Sequence, residues 1–189
     1  MSSLPVGILL AAGQGRRFGS NKLLHPVIDG TSMLMHSAQS LVSVLPDTVV
    51  VISPQLVSYA RQLEQLGIQV VINEQAEQGM GSSIACGVRA SRDATGWLIM
   101  LADMPYVKTE TIALLANKLK ADAGMVAPFF EQQRGHPVGF GRRYKDELIA
   151  LNRDVGARQI IKKYQAQLEL LETDDAGVVT DIDQQRDIL

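Results

Sequence analysis

"VGILLAAGQGRRFGSNKLL", residues 6–24, runs an unbroken apolar segment into a loop that carries Gly13, Gly15 and Gly19 together with Arg16, Arg17 and Lys22. Residues 6–12 show no polar alternation, as expected of a strand buried on both faces of a parallel sheet. The loop after it admits three readings. It is a tight turn with solvated charges, a dinucleotide-binding loop, or a cradle for a nucleoside triphosphate. Glycines let a ligand approach the backbone, and successive N–H groups can hold phosphate oxygens. The spacing departs from two familiar loops. A P-loop ends in Gly-Lys-Ser/Thr, whereas Lys22 lies between Asn21 and Leu23. In a dinucleotide loop the third glycine comes one residue earlier than Gly19.

Working outward, residues 48–52, 68–72, 97–101 and 124–128 are further apolar, β-rich runs. Between them, residues 31–45, 53–67, 82–92 and 109–119 have helical spacing or helix-boundary signals. This alternation predicts one α/β domain over residues 1–189, three layers deep, with a mostly parallel, Rossmann-like central sheet. The rhythm loosens after Pro128. Residues 129–140 read as a hairpin or an extended insertion, followed by two short helical stretches and a run at 168–171. Ligands of open α/β sheets sit outside the carboxyl ends of the strands. The loops after the first, third and fourth strands should therefore converge, and they hold the least ordinary chemistry: residues 13–22, residues 79–83, and the turn at Asp103.

Composition narrows the function. The formal net charge is −2, which leaves no excess of cations for broad nucleic-acid binding. Cys86 is the single cysteine, so neither an intrachain disulfide nor a cysteine-based zinc site is expected. No run approaches the ~20 apolar residues of a membrane span. The first residues lack a signal-peptide pattern. A cytoplasmic setting without membrane or nucleic-acid partners is the expectation.

Asp103 closes a buried strand and precedes Met104-Pro105. A carboxylate there needs a partner or solvent, and magnesium, commonly held by one or two carboxylates and substrate phosphates, suits it. A turn-leading aspartate is the plainer alternative. Asp181 and Asp183 form a D-x-D pair whose side chains share a face if the segment is extended.

The run from Leu10 through Ala11, Ala12, Gly13, Gly15, Arg17 and Gly19 to Lys22 resembles the signature of nucleotidyltransferases with a glycosyltransferase-A-like fold. Leu101 to Pro105 (LADMP) is similar to the branch that acts on the molybdenum cofactor. So are residues 79–83 (GMGSS), 134–138 (RGHPV), 154–158 (a D-x-G-A-R pattern) and 181–183 (DID). Leu-Ala-Ala-Gly, rather than Leu-Ala-Gly-Gly, resembles the members that use CTP; the Ala12 methyl would crowd a purine.

The resemblance implies CMP transfer from CTP to the terminal phosphate of molybdopterin, releasing pyrophosphate. Arg17, Lys22 and Asp103 would be catalytic. Leu10, Ala11, Ala12, Gly13, Gly15, Gly19, Gly79, Gly81, Ser82 and Ser83 would bind nucleotide, with hydroxyl and backbone donors of both serines offered to base or ribose. Arg134, His136, Pro137, Asp154 and Arg158 would face the acceptor. Magnesium, or manganese, would sit on Asp103 and Asp183, with Asp181 as the alternative. A molybdenum hydroxylase would receive the product. Two departures stand out: Arg153 where the family has glycine, and residues 184–187 (QQRD) after the D-I-D. Other readings are a transferase using GTP or a sugar phosphate, and a non-catalytic protein that binds and delivers the finished cofactor.

Overall fold

A computed structural model describes residues 4–13, 21–27, 30–121, 124–152 and 156–183. Its eight strands form one mixed sheet. β1 (Val6–Ala11), β2 (Thr48–Ile52), β3 (Gln69–Ile72) and β4 (Gly96–Leu101) pair in parallel in the order β3-β2-β1-β4. The apolar runs seen in the sequence are these strands, and their two-residue period separates two cores. Leu9, Ala11, Val50, Ile52, Leu98 and Met100 face one layer, with α1 (Met33–Val44) and α4 (Thr109–Ala121). Ile8, Leu10, Val49, Val51, Trp97 and Ile99 face the other, with α3 (Met80–Ala90), α5 (Lys145–Ile149) and α6 (Arg158–Lys163). The three-layer α/β/α expectation holds.

Two local expectations change. The helix expected over residues 53–67 is a 3-10 turn, Pro54–Tyr59, running into a short α2, Ala60–Glu64. Residues 129–140 do make a hairpin, from β5 (Met125–Phe130) to β6 (Gln133–Arg134), turned by Glu131 and Gln132 at positive φ. They do not form a mere insertion, because β7 (Val138–Gly141) enters the sheet antiparallel between β4 and β5. β7 is hard to see in the sequence because it reads V-G-F-G. A Cβ on Gly139 would come within 2.7 Å of Val126 Cγ1, so this central strand excludes side chains there. β8 (Leu168–Glu172) pairs parallel to β5.

The last described stretch crosses the carboxyl end of the sheet. Val178 O accepts from His136 N at 2.8 Å, and Ile182 N donates to Asp103 O at 2.9 Å. This strap ties the β6–β7 connection to the turn after β4. Asp175 starts it: the side chain, in a residue 1% exposed, accepts from Lys108 N, the Thr111 hydroxyl and Gly177 N. The Asp-x-Gly spacing is an Asx-turn signal that could have been found in the sequence. The reach of that carboxylate to the start of α4 could not.

Candidate active site

β1 and β4 run side by side, so their carboxyl ends bring residue 22 and residue 103 together. Lys22 opens a 3-10 turn, Lys22–Leu24, fixed by the Asn21 side chain accepting from Leu23 N and by burial of Leu23. Its ammonium donates to Asp103 Oδ2 at 2.8 Å, Ile182 O at 3.0 Å and Asp183 Oδ1 at 3.2 Å. Burial works against the charged lysine, but the attraction and hydrogen bond of Asp103, joined by Asp183, outweigh it and raise the Lys22 pKa. The Lys22 side chain is 13% exposed, Asp103 25% and Asp183 56%, so the cluster opens to solvent on the Asp183 side. Of the two candidate partners in the D-I-D, Asp183 is the one that meets Lys22; Ile182 between them is buried.

Two carboxylates and a carbonyl converging on one cation form an oxygen-only donor set, which suits a hard divalent ion. Among the described residues no cluster of three or more His, Cys, Asp or Glu side chains could hold a metal. A hard ion placed at this trio would need further oxygen ligands from outside it.

Beside this cluster lies a cavity of about 230 Å³. Its floor is apolar, with Leu10 and Leu101 from the strand ends and Ile84 from α3. Its polar groups are Arg134, His136 and Arg158. Burial, then the repulsion of Arg158, lowers the Arg134 pKa. Two like charges facing one cavity favour an anion between them. Burial, then Arg134, pushes His136 down to about 4, against the opposing pull of Asp103. Among the described residues its buried Nδ1 has no hydrogen-bond partner. His136 is thus neutral near pH 7, with one buried polar atom unsatisfied by those residues.

A pH dependence follows. Between about 4 in the folded chain and about 6.5 unfolded, the unfolded state binds more protons at this site. The stability that neutral His136 preserves is complete above about 6.5 and is lost as the pH falls toward 4. Urea unfolding of wild type and His136→Phe at pH 7 and pH 4.5 should show a smaller acid loss in the variant, by at most about 3 kcal/mol. Identical losses would remove His136 from the account.

The glycine turn before α3 is built differently from expectation. Gly79 sits at φ 106°, and the Ser82 hydroxyl bonds back to Gly79 O at 2.8 Å and Gln75 O at 3.0 Å. Asn73, at the end of β3, donates to both Ser82 Oγ and Ser83 Oγ and accepts from Gln75 N. Both serines are buried; the Ser82 hydroxyl braces the turn, and Ser83 Oγ accepts from Asn73. Asn73 was missed, because nothing in its sequence neighbourhood marks it. The Ala12 methyl, expected beside the base, is covered by the protein itself, in a residue 3% exposed within the second core.

Leu10 lines the cavity; Ala11 is buried in the first core. A Cβ on Gly13 would meet none of the described residues within 4 Å, and Gly81 is buried in the first turn of α3. Pro137 is buried and follows a cis peptide bond. Gly15, Arg16, Arg17, Gly19, Arg153 and Asp154 lie outside the described residues.

The profile of the MobA-like NTP transferase domain matches residues 7–169. PucB, a purine catabolism protein of Bacillus subtilis (strain 168), is 31% identical over 94% of this chain and 91% of its own length. The bifunctional protein GlmU of Xanthobacter autotrophicus is 33% identical over 79% of this chain; the match spans 34% of that longer protein. The manganese complex of Rv0371c from Mycobacterium tuberculosis H37Rv superposes with a TM-score of 0.78 at 26% identity, covering 96% of this chain and 94% of that one. Matched along most of its length, the chain belongs to the MobA-like NTP transferase domain family and is a nucleotidyltransferase-type enzyme.

Proposed function

We propose that this protein transfers CMP from CTP to the terminal phosphate of molybdopterin, giving the cytosine dinucleotide and pyrophosphate. The observation that carries the reading is the convergence of Lys22, Asp103, Asp183 and Ile182 O beside a cavity flanked by Arg134 and Arg158. One side supplies a cation and an oxygen cluster for a triphosphate. The other offers an apolar floor, two guanidinium groups and the His136 nitrogen to an anionic, flat acceptor. The Leu-Ala-Ala-Gly at residues 10–13 supports CTP over GTP by resemblance alone, since the Ala12 methyl is buried in the second core. A manganese complex of a related protein of nearly matching length supports a divalent ion.

An acceptor phosphate oxygen would attack the α-phosphorus of CTP. The new P–O bond forms as the bond to the β-phosphate oxygen breaks, and pyrophosphate leaves with that electron pair. The nucleophile is already anionic, so catalysis is positioning and charge neutralisation. Arg134 and Arg158 would orient the acceptor, and Lys22 would offset charge on the departing pyrophosphate, with Arg17 in the same role. Magnesium, held by Asp103 and Asp183, would supply Lewis-acid stabilisation of the phosphates. A cytoplasmic molybdenum hydroxylase would take the product.

Binding of CTP, GTP and ATP to the purified protein, each with and without magnesium, tests this. Magnesium-dependent preference for CTP, followed by pyrophosphate release once the pterin is added, is expected. Preference for GTP would overturn the base assignment. Acceptor binding without pyrophosphate release would favour a delivery protein.

A further inference from the structure

The Lys22 ammonium occupies the focus of the three oxygens that would receive a divalent cation. We infer that Lys22 is a resident surrogate cation, which holds the oxygen cluster until a divalent ion displaces it and the triphosphate accepts the displaced ammonium. This inference rests on the metal assignment just proposed and adds an order to it: bare metal binds weakly, and metal and nucleotide strengthen one another.

The geometry supports an exchange confined to the side chain. The Lys22 backbone is held by the Asn21 cap, by His25 N donating to Lys22 O, and by buried Leu23. A lysine stem has several rotatable bonds beyond that anchor, and its charge is a compact point rather than a fixed fork. The Asp183 side of the cluster is the exposed one, so the ammonium can leave toward solvent without unpacking the core.

Charge makes the two cations exclusive. Two carboxylates and one ammonium leave one net negative charge, whereas two carboxylates and a divalent ion are neutral. Adding the ion beside the retained ammonium would set like charges a few ångströms apart at the edge of the protein, where they repel. The ion therefore gains the site only by expelling Lys22, which then lacks its three acceptors. A triphosphate supplies new ones. Coupling between the two ligands is reciprocal by thermodynamic necessity.

Calorimetric titration of Mn2+ into the full-length protein, without nucleotide, tests the exchange in wild type, Lys22→Gln and Lys22→Arg. Thermal melting checks that each variant is folded. Lys22→Gln should bind Mn2+ about tenfold tighter or more, because the competing charge is gone, and Lys22→Arg should bind as weakly as wild type. With CTP present, Mn2+ affinity should rise by a larger factor in wild type than in Lys22→Gln. The inference is overturned if Lys22→Gln binds Mn2+ no more tightly than wild type, if Lys22→Arg binds as tightly as Lys22→Gln, or if none of the three binds Mn2+. Failure of the proposed function shows elsewhere, as absence of CTP selectivity in wild type.

Discussion

Asp103→Asn should lower pyrophosphate release by at least about a hundredfold, the scale on which losing one preorganised electrostatic group acts, while the protein stays folded. Asp103 stands at the carboxyl end of β4 and contacts Lys22 through its side chain, but it holds the strap through its backbone, by accepting from Ile182 N. The substitution leaves that backbone bond untouched. Lys22 keeps Ile182 O and Asp183 as acceptors. The bridge lost is partly solvated, so the stability change should be about 1 kcal/mol or less. Asn is the choice over Ala because it preserves volume and removes only the charge. Turnover within a few-fold of wild type would remove Asp103 from the catalytic set. A large drop in melting temperature would reassign it to structure.

Asp103 was legible in the sequence because a carboxylate that ends an apolar strand contrasts with everything before it. Lys22 was legible as loop chemistry, but its partners were not. Asp103 is 81 positions away and Asp183 161, and only the parallel pairing of β1 with β4 and the return of the strap bring them together. Strands β1, β2 and β4 could be read directly, since fully buried strands are continuous apolar runs. β7 could not, because Gly139 is fitted to neighbours, Val126 and Leu119 among them, that the sequence does not display. Ser82 and Ser83 mark the limit of residue-type reasoning. A hydroxyl in a glycine loop suggests a ligand contact, and here Asn73 takes both. Arg134 and Arg158 entered through a family resemblance, and the fold gives them a physical reason, by placing both at one cavity over the ends of β1 and β4.

The strap explains why Asp183 reaches Lys22 at all, and it is tightly enclosed by backbone at two glycines. Gly177 passes so close to the chain after β4 that an added Cβ would lie 2.1 Å from Tyr106 O and 2.8 Å from Val107 N. Gly135 has the matching problem from the other side, with 2.3 Å to Val178 O. Both obstacles are backbone, which cannot rotate away as a side chain can. Gly177→Ala should therefore cost about 3 kcal/mol or more, the upper part of the range for overpacking. Gly13→Ala is the control in a stability measurement, because among the described residues a Cβ there meets nothing within 4 Å. Denaturant unfolding should show a large loss for the first and a small change for the second. The consequence extends to the site. Relieving the clash by moving residues 176–179 would strain the bonds from Val178 O to His136 N and from Ile182 N to Asp103 O, which connect the cavity to the oxygen cluster. A folded Gly177→Ala protein should accordingly bind Mn2+ with CTP more weakly than wild type, although the substitution lies outside the Lys22, Asp103 and Asp183 cluster. Wild-type stability in Gly177→Ala would show that the strap yields at no cost, and would remove the mechanical link between the two halves of the site.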